Sequence, residues 1–199
     1  MRMAHAYTIF DLMVFVSLAL AIVYLLINLK YKRPDLGLFI LPMVIIAGLV
    51  ALFTASDAHG AADSMSFAMD NLWLYIHIPL IIIGTAFFLT AFATGLMYFI
   101  MEKQLKQKKF GKIFERFPSL DTIDKINSAS LYIGFASYTA GTLCAAGWVS
   151  FRVTHAALFD SNPDLGPSFQ LKLLFAVIVW IMFGVILILK IKRGMTPRQ

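Results

Sequence analysis

The 199-residue chain is 60% hydrophobic and only 14% charged, with a mean hydropathy of +0.79 and a formal net charge of +6. Soluble domains run at about 45–50% apolar and about 25% charged residues, so this composition excludes an ordinary soluble domain and points to an integral membrane protein. One cysteine excludes an intramolecular disulfide framework, and 12 Gly with 7 Pro exclude a collagen-like or low-complexity chain.

An apolar run of about 18 residues or more predicts a membrane-spanning helix, since about 20 residues at 1.5 Å each cross a hydrocarbon core of about 30 Å. Five stretches qualify, at 8–29, 36–55, 72–101, 128–151 and 169–189, so the expected fold is all-α, a polytopic transmembrane bundle. The first follows Arg2 and His5 and contains Ala19-Leu20-Ala21, which mimics a cleavable signal peptide. It is too long for such a leader and ends on Lys30, Lys32 and Arg33, so it reads as an uncleaved helix.

The loop after the second span carries Asp57, His59 and Asp63, read as solvated side chains rather than a cation site. The third span is the longest, ~45 Å if wholly helical, so its last turns should project beyond the bilayer. The following segment, 102–127, is a basic connector with a charged helical stretch and then Phe117-Pro118-Ser119-Leu120-Asp121. Its lysines suit an anionic lipid surface first and a cytoplasmic protein partner second. The fourth span leads into a loop carrying His155, and Cys144 within that span reads as a small packing residue.

Of the 17 basic residues, 14 fall on the side of the 102–127 connector and the C-terminus; only Arg2, Arg152 and Lys172 fall on the other. The positive-inside rule then places the N-terminus outside and the C-terminus in the cytoplasm. The inner side carries +9 and the outer −3, so the net charge encodes orientation rather than a nucleic-acid partner. All four histidines, His5, His59, His77 and His155, fall on the outer side. A pair of mid-membrane histidines holding a haem inside the bundle is therefore absent.

His77 lies one turn into the third span, in Trp73-Leu74-Tyr75-Ile76-His77-Ile78-Pro79. A structural histidine at a membrane interface is its simplest reading. A small-residue stripe nevertheless runs from it through Gly84, Ala91 and Gly95, and the fourth span carries Ser130, Gly134, Ser137, Gly141, Ala145 and Trp148 at helical spacing. Such faces predict a close antiparallel hairpin whose outer end joins His77 to Trp148. An aromatic wall and a second histidine on the loop above would suit a flat porphyrin. Metal binding without haem is disfavoured by the lack of paired histidines or a Cys-x-x-Cys, and no acid–base pair or activated nucleophile marks an enzyme.

The last three spans resemble the cytochrome c assembly superfamily of CcsA, ResC, CcmC and HemX. Trp73-Leu74-Tyr75-Ile76-His77-Ile78 matches its W-L-x-x-H-V motif, and Pro118-Ser119-Leu120-Asp121-Thr122-Ile123-Asp124 its P-S-L-E-x-L-D. Ile133-Gly134-Phe135 and Gly141-x-x-x-Ala145-x-x-Trp148 then match its I-G-F and G-x-x-x-G-x-x-W. The resemblance implies that His77 is an outer-face haem ligand.

Two departures stand out. The tryptophan-rich signature of haem-handling members is replaced by Phe151-Arg152-Val153-Thr154-His155, and their intramembrane histidine by Ile188. The chain therefore looks like a shortened, HemX-like member.

The function expected is binding or passing haem at the extracytoplasmic face of a bacterial cytoplasmic membrane. His77 and His155 are the expected iron ligands, with His59 or His5 as substitutes for His155. Trp73, Tyr75 and Trp148 are expected as walls, and Arg152 as a propionate partner. Membrane or c-type cytochrome proteins are the expected partners. The alternatives are a haem-free HemX-like regulator acting by protein contact, and a small haem-bearing subunit of an electron-transfer complex.

Overall fold

The computed structural model describes residues 9–32, 34–54, 72–107, 118–158 and 167–195, and every regular element among them is helical. The helices are α1 (Ile9–Tyr31), α2 (Gly37–Thr54), α3 (Leu72–Lys106), α4 (Leu120–Leu158) and α5 (Pro167–Met195), with a short 3₁₀ turn at Pro34–Leu36. Four of them, α1, α2, α3 and α5, are long and apolar enough to cross a membrane. They are apolar around most of their circumference and expose large side chains such as Leu18, Ile45, Phe92 and Ile181, as helices solvated by lipid do.

The helices overrun the expected spans. α3 continues to Lys106 and α4 already begins at Leu120, so both ends of the segment read as a 102–127 connector are helical. Ser119 explains the early start of α4: its hydroxyl accepts the Thr122 N–H at 3.3 Å, an N-cap directly after Pro118. At its far end α4 runs to Leu158, which puts Arg152 and His155 in its last turns rather than on a loop. Between Trp148 and Leu158 there is no Gly or Pro to stop the helix.

α1 and α2 form a first hairpin. Lys32, at φ 51°, takes the left-handed conformation that ends α1, and its N–H donates to the Asn28 carbonyl at 2.7 Å. Ser17 Oγ donates to the Val44 carbonyl at 3.1 Å, tying the two helices together. The main core then unites four helices at the connector end: Leu20 and Val23 of α1, Ile40 of α2, Met97 and Met101 of α3, and Ile123 and Ile126 of α4.

The second hairpin, α3 with α4, is antiparallel and closely packed, as the small-residue stripes predict. A Cβ added to Gly84 would lie 2.9 Å from the Tyr138 backbone nitrogen, and one on Gly134 2.8 Å from Phe88. Further along, Gly141 sits against Ile81 and Gly147 beside Trp73, while Gly95 faces Asn127. The paired stretch from Trp73 to Gly95 spans ~33 Å along α3.

α5 joins this hairpin along one stripe. Its Phe183 ring stacks on Phe88 at 3.7 Å between centroids, and Trp180 stacks on Phe135 at 5.7 Å while donating to Thr139 Oγ1 at 2.9 Å. Lys190 completes the stripe, donating to Asn127 Oδ1 at 2.5 Å and pairing with Asp124 at 3.2 Å. Away from this stripe α5 exposes large side chains such as Leu171, Leu174, Ile178 and Ile181.

Gly84 and Gly95 differ in what a methyl group would meet. Gly84→Ala presses on Tyr138 backbone and should cost about 1–3 kcal/mol through overpacking. Gly95→Ala meets only Asn127 Nδ2, at 3.5 Å, and should be close to neutral. Thermal unfolding of both variants in detergent checks this, and equal midpoints would contradict the packing described.

Candidate functional site

His77 stands in the second turn of α3, half-buried against α4. Its Nδ1 lies 2.7 Å from the carbonyl oxygen of Gly141. A carbonyl can only accept, so Nδ1 carries a proton and donates, and in the neutral ring Nε2 keeps its lone pair. Gly141 allows the contact because it has no side chain between the helices; it is buried, and an added Cβ would lie 2.8 Å from Ile81, one turn after His77 on the same face of α3. A histidine that donates one ring N–H to a backbone carbonyl is oriented, and made more basic, for ligation through the other nitrogen.

Three aromatic residues expected beside this histidine take different positions. Trp73, one turn before His77 on the same face, reaches over Gly147 of α4, where an added Cβ would be 3.8 Å from its ring. Trp73 is 48% exposed and Tyr75 50%. Trp148 is half-buried at the residue following Gly147 and is engaged with neighbours of its own. Pro79 lacks an N–H, so the carbonyl of Tyr75 has no helical donor four residues on.

His155 sits 14 positions beyond Gly141 on α4, ~21 Å along a regular helix axis, whereas His77 is bonded to Gly141 itself. The side chains of His155 and Arg152 lie outside the described residues, as do His5, His59, Asp57 and Asp63. Ile188, at the place of the family's intramembrane histidine, is 55% exposed on α5.

Among the described residues no group of three or more His, Cys, Asp or Glu side chains could hold a bare metal ion. A metal whose equatorial ligands come with it, as in a porphyrin, needs from the protein only an axial nitrogen and an apolar surround.

A second polar cluster lies at the opposite end of the hairpin. Asn127 Nδ2 donates to the Ala91 carbonyl at 2.6 Å and to Thr94 Oγ1 at 3.1 Å, and its Oδ1 accepts from Lys190. Asp124 shares Lys190. Every side chain in this chain of bonds has a partner, so its role is to lock α3, α4 and α5 together. The sequence reading passed over it; an Asn at a span end, three residues after an Asp, was the available signal.

The chain matches the family model described as Cytochrome C assembly protein over residues 6–199, which extends the likeness to the first two helices. No curated protein and no solved structure matches it.

The fixed tautomer is directly measurable. Nitrogen-15 NMR of ring-labelled histidine should show His77 protonated at Nδ1 and bare at Nε2, with the signal lost in His77→Ala. A His77 resonance from the opposite tautomer would contradict the hydrogen bond to Gly141.

Proposed function

The chain belongs to the cytochrome c assembly protein family, and from that premise we propose that it is a five-span, non-enzymatic protein of the bacterial cytoplasmic membrane that binds or passes haem at the extracytoplasmic face through His77. The observation that carries this reading is the Nδ1 bond to the Gly141 carbonyl, which leaves Nε2 as the ligating atom. Trp73 supplies a flat apolar surface beside it, half open to an incoming ring. Haem, when bound, supplies a redox-active iron; the protein's own part is to orient one imidazole, keep its proton on Nδ1 and shield one side of the site.

Orientation and span count follow from charge and packing. The 14-to-3 partition of basic residues favours an outer N-terminus and a cytoplasmic C-terminus. A fifth crossing by α4 is supported by its pairing with α3 over ~33 Å, the thickness of a hydrocarbon core. The same topology puts His77 at the extracytoplasmic end, where membrane or c-type cytochrome proteins would meet it.

The distance of His155 along α4 favours one second reading, a haem-free, HemX-like regulator acting by protein contact. Haem titration of the purified protein separates the two. A Soret band should appear with the wild type, vanish in His77→Ala and survive His155→Ala. Absence of the band, or its persistence in His77→Ala, supports the regulator instead.

A further inference from the structure

We infer that the connector end of the bundle is a binding surface for anionic phospholipid headgroups, with Lys30, Lys32, Lys103 and Lys192 facing the phosphates. This surface is independent of the haem reading and of which side of the membrane it faces. Tyr31 of α1, Met101 of α3 and Leu120 and Ile123 of α4 all pack on one cluster, and Lys190 of α5 pairs with Asp124. The ends of four helices therefore meet there. Seven lysines with described side chains stand at this end, Lys30, Lys32, Lys103, Lys106, Lys125, Lys190 and Lys192, against four acids, Asp35, Glu102, Asp121 and Asp124.

The ion pairs divide these lysines into two groups. Lys106 pairs with Glu102 at 2.8 Å, Lys125 with Asp121 at 2.6 Å, and Lys190 with Asp124 and Asn127. The hydrogen bond to Asp121, with that residue's charge, pushes the Lys125 amino group's pKa up. Asp35 alone among the four acids makes no ion pair among the described residues. Lys30, Lys32, Lys103 and Lys192 are exposed, and Lys30 reaches only the face of Tyr31, at 5.4 Å.

Position distinguishes a lipid from a soluble partner. Among the described residues, three of these lysines sit just past an exposed apolar surface on their own helix, Leu26 and Leu29 before Lys30, Phe99 before Lys103 and Leu189 before Lys192, and Lys32 follows the end of α1. A lysine one turn past such a surface lays its stem along the acyl region and its ammonium at headgroup depth. There the attraction to anionic lipid is about 1 kcal/mol per lysine, roughly fivefold in partition. These four cations at the ends of three lipid-type helices fit a layer of phosphodiesters better than a compact acidic protein site.

The test uses the whole protein in bilayer nanodiscs of mixed phosphatidylglycerol and phosphatidylcholine, reading retained lipid by native mass spectrometry. The wild type should retain phosphatidylglycerol preferentially, and the preference should fall as salt rises from about 0.05 to about 0.5 M. Lys32→Gln/Lys103→Gln/Lys192→Gln should lower it at least about fivefold, whereas Lys125→Gln and His77→Ala should keep it. Equal retention of both lipids, a salt-insensitive preference or an unchanged triple variant overturns the proposal. So does a soluble protein that occupies this end in place of lipid. If the triple variant does not fold, the wild-type salt series decides.

Discussion

The rest of the molecule depends on how closely α3 and α4 approach each other. Inside a bilayer, apolar side chains gain nothing by leaving lipid for another helix, so association rests on tight van der Waals contact and on hydrogen bonds between helices. The hairpin uses both. Large residues of each helix fill the gaps left by glycines of the other: Tyr138 against Gly84, Phe88 against Gly134, Ile81 against Gly141. With the axes this near, a side chain on one helix can reach a backbone carbonyl on the other, and this happens at both ends. His77 reaches Gly141 and Asn127 reaches Ala91.

The two ends are otherwise unlike. The connector end holds the main core and the Asn127, Lys190 and Asp124 network, and it binds the ends of four helices into one body. At the histidine end Trp73, Tyr75, Ile76, Ile83 and Leu143 are exposed, and among the described residues α5 bonds to the hairpin from Ala176 onward. Both ends expose large apolar side chains, but the polar network that joins three helices lies at the connector end.

The stripes of small residues made the hairpin legible in the sequence, since in lipid Gly84, Ala91 and Gly95 on one face of a helix and Gly134 and Gly141 on the next have few other uses. His77 was legible too, through its aromatic neighbours and the ordered family landmarks. Its partner was not, because a backbone carbonyl has no signature in a sequence: Gly141 was visible as a packing residue, not as an acceptor. The end of α4 was misread for a related reason. Arg152, Thr154 and His155 are polar and suggested a loop, but polarity reports where lipid ends, not where a helix ends. Lys190 looked like one more positive-inside charge; its bond to Asn127, 63 residues away, is a tertiary fact.

The bond from His77 to Gly141 is also a length constraint. At 2.7 Å it has little slack. A slide of α4 along α3 by one helical turn, about 5.4 Å, would carry the pair out of hydrogen-bonding range and free the ring to rotate. The orientation of one imidazole is thereby tied to the register of the α3–α4 pair.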